Sequence, residues 1–283
     1  MRYLVTGASG MLGRDLQTAL EGREVTSLRR ADLDVTDAAA VAAAVDGHDV
    51  VINCAAYTKV DDAETHEDEA YGVNATGPAN LAAASARHGA RLVTISTDYV
   101  FDGNATTPYE EGRPLDPINA YGRTKAAGER LAVEQNPDAT FIVRTAWLYG
   151  AHGPNFAKTM LKLAETKDTW SVVDDQVGQP TWTADLAAQI VTMLDADAPA
   201  GVYHGTNSGE ASWFEFARAV LEEAGLDPNR ITPTDSSAFV RPAPRPSYSV
   251  LGHDAWTAAG LAPMRDWREA LAQAARDGVF ALP

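Results

Sequence analysis

Three glycines at intervals of three, Gly7, Gly10 and Gly13, follow the short apolar run Tyr3-Leu4-Val5. They lead into apolar residues at helical spacing, Met11, Leu12, Leu16, Ala19 and Leu20. The order is strand, tight turn, helix. Missing side chains at such a turn let the main chain pass close to a pyrophosphate, and the helix start supplies free N–H groups and a partial positive charge. Gly7, Ser9, Gly10, Met11, Leu12 and Gly13 are therefore candidate dinucleotide contacts. Glycine-rich βα turns also occur with no ligand, but a place inside a β-α-β unit favours the binding reading.

The alternation continues down the chain. Residues 24–28 read as a strand, 37–45 as an alanine-rich helix capped by Thr36 or Asp37, and 50–52 as a buried strand. Residues 64–87 read as one long helix or two, interrupted near Gly77-Pro78. Residues 91–95 and 140–143 read as strands, with a helix over 120–134 between them. This rhythm predicts an α/β fold, a Rossmann-like doubly wound parallel sheet with helices on both faces. Past Tyr149 the rhythm changes to amphipathic helices over 155–165, 183–194 and 213–224, with short strands and a proline-rich run, Arg241-Pro242-Ala243-Pro244-Arg245-Pro246. We read 1–150 as the dinucleotide-binding region. Residues 151–283 read mainly as a substrate-binding lobe, with some segments returning to the sheet.

Composition narrows the class. The one cysteine, Cys54, rules out an internal disulfide and fits a reducing compartment. No apolar run approaches the ~20 residues that span a bilayer, and Met1-Arg2 runs straight into the first strand, so a cytoplasmic protein is expected. A formal net charge of −16 argues against nucleic acid or an anionic membrane as partner. Lysine is confined to Lys59, Lys125, Lys158, Lys162 and Lys167, whereas aspartate is frequent. Such a surface suits strong salt screening, and we expect a halophilic source. The melting temperature should then rise from low to molar salt; a flat or falling curve removes that reading.

The chemistry sits in two phrases, Ser96-Thr97-Asp98-Tyr99-Val100-Phe101-Asp102-Gly103 and Tyr121-Gly122-Arg123-Thr124-Lys125. Tyr121 and Lys125, four apart on a predicted helix, share a face. A nearby ammonium and a cationic nicotinamide ring would lower the phenol's pKa and fit Tyr121 for proton transfer, while Lys125 also holds a ribose hydroxyl. Thr97, at a strand end, can hydrogen-bond a substrate oxygen where charge develops. Thr97, Tyr121 and Lys125 are the candidate catalytic residues. Small residues after the third strand, Ala55 and Ala56 followed by Tyr57, would pass beneath the cofactor. Asp34 serves either the adenine or a turn. Asn74 reads as a structural hydrogen-bonder beside the site. No metal-ligand spacing is evident.

These phrases resemble the extended short-chain dehydrogenase/reductase superfamily, and within it the dTDP-4-dehydrorhamnose reductase family. Residues 5–13, 53–61, 96–103, 121–125, 144–149, 155–160, 174–181 and Arg241-Pro242 carry the likeness, which spans nearly the whole chain. The resemblance implies reduction of the C4 ketone of dTDP-4-dehydro-L-rhamnose to dTDP-L-rhamnose by NAD(P)H, with Tyr121 protonating the new alkoxide. It also implies that Thr97, Asp98, Tyr99 and Trp147 surround the sugar, and it allows a homodimer. Related 4,6-dehydratases place Thr-Asp-Glu at the strand end, whereas here Tyr99 follows Thr97-Asp98. A nucleotide-sugar epimerase, or a non-catalytic subunit like that of methionine adenosyltransferase, is the alternative. Many relatives follow the second strand with an acidic residue for the adenosine ribose. Here Arg29-Arg30 stands there, and Arg29 is expected to pair with the 2′-phosphate of NADPH in preference to NADH.

Overall fold

Alternate residues of each central strand enter different cores, as a parallel sheet buried on both faces requires. The computed structural model describes residues 1–280. Its first half runs β1 (Arg2–Thr6), α1 (Met11–Ala19), β2 (Glu24–Leu28), α2 (Ala38–Val45), β3 (Val50–Asn53), α3 (Val60–Ala63), α4 (Glu67–Tyr71), α5 (Gly77–His88), β4 (Arg91–Thr97), α6 (Ala120–Gln135) and β5 (Thr140–Thr145). Tyr3, Val5, Val50, Ile52, Val93 and Phe141 face one side, with Leu12 and Leu16 of α1. Leu4, Val51, Leu92 and Ile142 face the other, against Val41 of α2 and Leu81 of α5.

The second half comprises β6 (Leu148–Tyr149), α7 (Phe156–Thr166), β7 (Trp170–Val173), β8 (Val177–Gly178), β9 (Thr181–Trp182), α8 (Thr183–Asp195), β10 (Gly201–His204), β11 (Ala211–Ser212), α9 (Trp213–Glu223), β12 (Ile231–Thr234), α10 (Asp254–Ala258) and α11 (Trp267–Arg276). The six-stranded sheet has the order β10-β5-β4-β3-β1-β2, with every pairing parallel. From β1 the chain steps to β2 on one side and returns to β3 on the other. The winding therefore reverses between β1 and β3, and their outgoing loops part to leave a crevice at the strand carboxyl ends.

Two segments beyond residue 150 serve this sheet. β10 pairs with β5, and α8 sends Leu186, Ile190 and Leu194 into the core that α1 closes. The rest gathers around Trp170, Phe216, Ile231, Trp267 and Leu271. There Ser212 and Glu215 close a capping box at the start of α9.

The 64–87 segment differs from expectation. After α3 and a short turn, α4 continues through one π-helical turn, Gly72–Thr76, directly into α5. The irregularity thus precedes Gly77-Pro78. Pro78 falls in the first turn of α5, where its missing N–H costs little. For α2 the cap is Asp37, whose carboxylate accepts from Ala39 and Ala40 N at 2.9 and 3.0 Å.

Candidate active site

The glycine turn is locked against the loop after β3. Gly7 has φ +65°, and a Cβ there would lie 2.6 Å from the main chain of Cys54 and Ala55, so no other residue fits. Its carbonyl accepts from Gly10 N at 2.9 Å. α1 then starts at Gly10 with no side-chain cap and no acidic residue in its first turn. Its leading N–H groups are left to an anion.

Two clefts meet over this point, sharing Cys54 and Ala56 in their walls. The first, of about 480 Å³, is lined by Gly7, Ser9, Arg30, Asp34, Ala55 and Tyr57, among others. The second, of about 520 Å³, holds Met11, Leu12 and Gly13 with Thr97, Asp98, Tyr99, Tyr121, Lys125 and Trp147. The sequence-derived catalytic and sugar-facing residues are thus gathered in one cleft. Cys54 is half-buried between the two, and desolvation pushes its thiol up to about 12.

Close approach of α6 to the end of β4 builds the catalytic corner. Asn119 caps α6 by accepting from Gly122 N at 2.8 Å. A Cβ on Gly122 would sit 2.1 Å from the Tyr99 carbonyl, so only glycine lets the helix come this near. Tyr121 then meets Tyr99 edge to face, ring centroids 5.7 Å apart. Asn74, in the π turn, donates to Thr124 Oγ1 and to the Tyr57 carbonyl at 3.1 Å, and accepts from Tyr57 N at 2.8 Å. It ties the loop after β3 to α6, the structural task read for it from sequence. A π turn beside a reactive corner is a common way to place such a bridge.

The electrostatics depart from the sequence reading. Burial raises the Tyr121 phenol above its ordinary value, Asp98 adds to the rise, and the Thr97 hydroxyl opposes it. Lys125 does not lower it. The ammonium is buried and donates to the Ile95 carbonyl at 2.6 Å. Desolvation pulls it down to about 8, opposed by Glu129 and Cys54. A phenol held protonated is suited to donate a proton rather than to remove one. Thr97 Oγ1 donates to Asp98 Oδ1 at 2.8 Å and accepts from Tyr99 N at 3.3 Å. Burial lifts the Asp98 carboxyl to about 6, against the Ser249 and Thr97 hydroxyls.

Behind this corner lies an ion pair the sequence reading missed. Glu129, one turn beyond Lys125 on α6, accepts from Arg144 Nε and from a terminal guanidinium nitrogen at 2.8–3.2 Å. It also accepts from Ser96 Oγ at 2.5 Å. Both charged side chains are about 95 % buried, with exposures of 4 % and 6 %. Trp213 is the other omission. Its ring stacks on Trp147 at 3.5 Å between centroids and forms part of the cleft wall. Trp147 holds φ +45°, a strained value for a bulky side chain. No local pattern marks either feature, because each partner lies far away in sequence.

On the adenosine side, Arg29 departs from expectation and Asp34 takes one of the two roles left open for it. Arg29 spends its fork on Asp32, with Nε and a terminal nitrogen at 2.8 and 3.0 Å from the carboxylate. It lies in a separate groove rather than in the adenosine cleft. Asp34 folds onto Thr36 instead, accepting from its N and Oγ1 at 2.9 and 2.7 Å. The turn role is the one its carboxylate performs, although the residue lines the cleft.

Comparison with known proteins fits this geometry. The family model described as RmlD substrate binding domain matches residues 1–279. A dTDP-4-dehydrorhamnose reductase of Streptomyces griseus is 52 % identical over 280 residues, covering 96 % of this chain and 92 % of that protein. The chain belongs to the dTDP-4-dehydrorhamnose reductase family. A dTDP-4-keto-6-deoxy-D-glucose reductase of Streptomyces niveus is 51 % identical over 277 residues, 96 % of each chain. The structure of a dTDP-4-dehydrorhamnose reductase from Bacillus anthracis, in complex with NADP, superposes with TM-score 0.94 at 41 % identity. It covers 98 % of this chain and 99 % of that one.

A dinucleotide, which this family implies, suits the residues present. The uncapped start of α1 and the opening over Gly7 offer a pyrophosphate seat, and the joined clefts give room on either side. Among the described residues no cluster of His, Cys, Asp or Glu is arranged to hold a metal ion. No helix among them is long and apolar enough to cross a membrane.

Proposed function

We propose that this chain reduces the C4 ketone of a dTDP-linked 4-keto-6-deoxyhexose, dTDP-4-dehydro-L-rhamnose, to dTDP-L-rhamnose, using NADPH with NADH as a weaker substitute. The observation that carries the reading is the convergence of Thr97, Tyr121 and Lys125 with Trp147 in the lining of one cleft. The reductase names of relatives at about half identity and the NADP complex of the B. anthracis neighbour support it. A cytoplasmic setting suits such a biosynthetic step.

A reduced dinucleotide held at the glycine turn and the start of α1 would supply the hydride. The protein's own part is placement and the proton. Tyr121 donates its phenolic proton to the oxygen that becomes an alkoxide, and its raised pKa keeps that proton available. Thr97 and Asp98 fix the direction of the hydroxyls beside it. Lys125 supplies positive charge beneath the corner and, with its side chain anchored at Ile95, orients a ribose hydroxyl. Tyr99 and Trp147 hold the sugar against this edge.

Lys125 carries a pH signature. Its ammonium titrates near 8, below the ordinary 10.5, because burial disfavours the charged form. Positive charge at this corner is therefore lost as pH rises through 8. We expect kcat/KM to fall across that interval and the alkaline limb to vanish in Lys125→Arg, whose guanidinium stays charged. An unchanged limb in the Arg variant would assign it to another group.

The reaction itself is tested with purified protein, NADPH and a panel of dTDP-linked 4-keto sugars. Stoichiometric NADPH oxidation with formation of dTDP-L-rhamnose is expected. Sugar isomerisation without net cofactor turnover would instead make it an epimerase. Tight NADPH binding with no turnover on any sugar would favour a regulatory subunit.

A further inference from the structure

Trp147 keeps φ +45°, a value that a bulky residue holds only where its surroundings impose it. Its carbonyl accepts from Thr181 N at 3.2 Å, which fixes the peptide but not the indole. Two contacts hold the indole, and both come from the ribbon of β8 and β11. Gly178 of β8 lies against the ring. A Cβ there would stand 2.6 Å from Cε2, 2.7 Å from Cζ2 and 2.9 Å from Nε1. Trp213, the residue after β11, stacks on the same ring at 3.5 Å between centroids, the planes 10° apart. β11 pairs antiparallel with β8, Ala211 opposite Gly178 and Ser212 opposite Val177. One strand pairing therefore delivers both contacts.

Trp213 is in turn held by its own lobe. Its main chain opens α9, where the Ser212–Glu215 capping box closes the first turn. Phe156, at the start of α7, meets its ring at 4.5 Å between centroids, and Phe216, one turn further along α9, at 6.3 Å. Contact thus runs from the core of the second lobe through Trp213 to Trp147, and both tryptophans line the catalytic cleft. The stack covers one face of Trp147, so a sugar meets only what Trp213 leaves open.

We propose that Trp213 is a positioning residue for sugar recognition: its stack on Trp147 holds that indole in its strained setting before the substrate arrives. The proposal rests on the reading above that Trp147 holds the sugar. Without the stack, Trp147 would relax toward an ordinary conformation, and sugar binding would have to restore the strained one. The effect then falls on affinity for the sugar. It should spare the nucleotide moiety, the cofactor and the chemical step.

Steady-state kinetics of the full chain test this with three constants: the KM for dTDP-4-dehydro-L-rhamnose, the KM for NADPH, and the inhibition constant of dTDP, which lacks the sugar. Trp213→Leu keeps apolar bulk against Phe156 but offers no ring to stack. It should raise the KM for the keto sugar by roughly 5- to 150-fold, the worth of one strained backbone setting. The other two constants should hold, and kcat should change less than that KM. Trp213→Phe, which restores a ring, should recover most of the loss. Gly178→Ala crowds the same indole from the other contact and should raise the same KM alone, a second route should Trp213→Leu not fold. Trp147→Ala, measured alongside, separates the two readings. An unchanged keto-sugar KM in Trp213→Leu beside a raised one in Trp147→Ala overturns the positioning role and leaves Trp147 on the sugar. An unchanged KM in both variants overturns the two together. A Trp213→Leu protein in which all three constants worsen equally also overturns the proposal, because the residue would then only support the cleft as a whole.

Discussion

Replacing Tyr121 with phenylalanine should lower kcat by on the order of 10²–10⁴-fold, the usual worth of general acid catalysis and equivalent to about 3–5 kcal/mol. The aromatic ring keeps its edge-to-face contact with Tyr99, so the corner should hold its shape. Only the phenolic proton is removed. Binding of NADPH should change little, because the adenosine-side cleft from Gly7 to Tyr57 is left untouched. Steady-state kinetics together with a cofactor titration separate the two effects. Near-full reductase activity in the Phe variant would remove Tyr121 as the proton donor.

The second large effect concerns stability. Glu129→Gln leaves the Arg144 guanidinium buried without its countercharge, and Ser96 loses a charged acceptor. Breaking one side of a buried pair costs about 3–5 kcal/mol, because the remaining charge cannot be rehydrated. For a chain of this size that corresponds to a fall of roughly 10 °C in melting temperature. Replacing both partners, as Glu129→Leu with Arg144→Met, should restore most of the loss, since no unpaired charge remains. Denaturant midpoints for the single and double variants decide the matter. A single variant within 1 kcal/mol of the parent would show that the pair is not held as tightly as its geometry implies. Because Glu129 also favours the charged form of Lys125, the double variant should move the alkaline limb of kcat/KM to lower pH even where the fold recovers.

What could be read from the sequence was whatever is encoded by short-range spacing. The glycine turn at Gly7 imposes its own conformation, and the four-residue step from Tyr121 to Lys125 places both on one helical face whatever the rest of the fold does. The strands of the parallel sheet announce themselves as short apolar runs. Other features depend on partners that spacing cannot supply. Arg29 looked free until the turn after β2 placed Asp32 on its fork, an i,i+3 encounter that only the folded turn creates. The Glu129–Arg144 pair joins α6 to β5, and the Trp147–Trp213 stack joins the end of β5 to the second lobe. Burial, a property of the whole fold, pushes the Tyr121 phenol up, and the spacing to Lys125 carries no sign of it.

The central claim is hydride delivery to a sugar ketone with the proton supplied by Tyr121. Incubation with dTDP-4-dehydro-L-rhamnose and NADPH deuterated at both hydrogens of the nicotinamide C4 tests it most directly. One deuterium should appear at C4 of dTDP-L-rhamnose for each NADP⁺ formed, with the hydroxyl proton drawn from solvent. Product without deuterium at that carbon, or sugar interconversion without NADP⁺, would contradict the account.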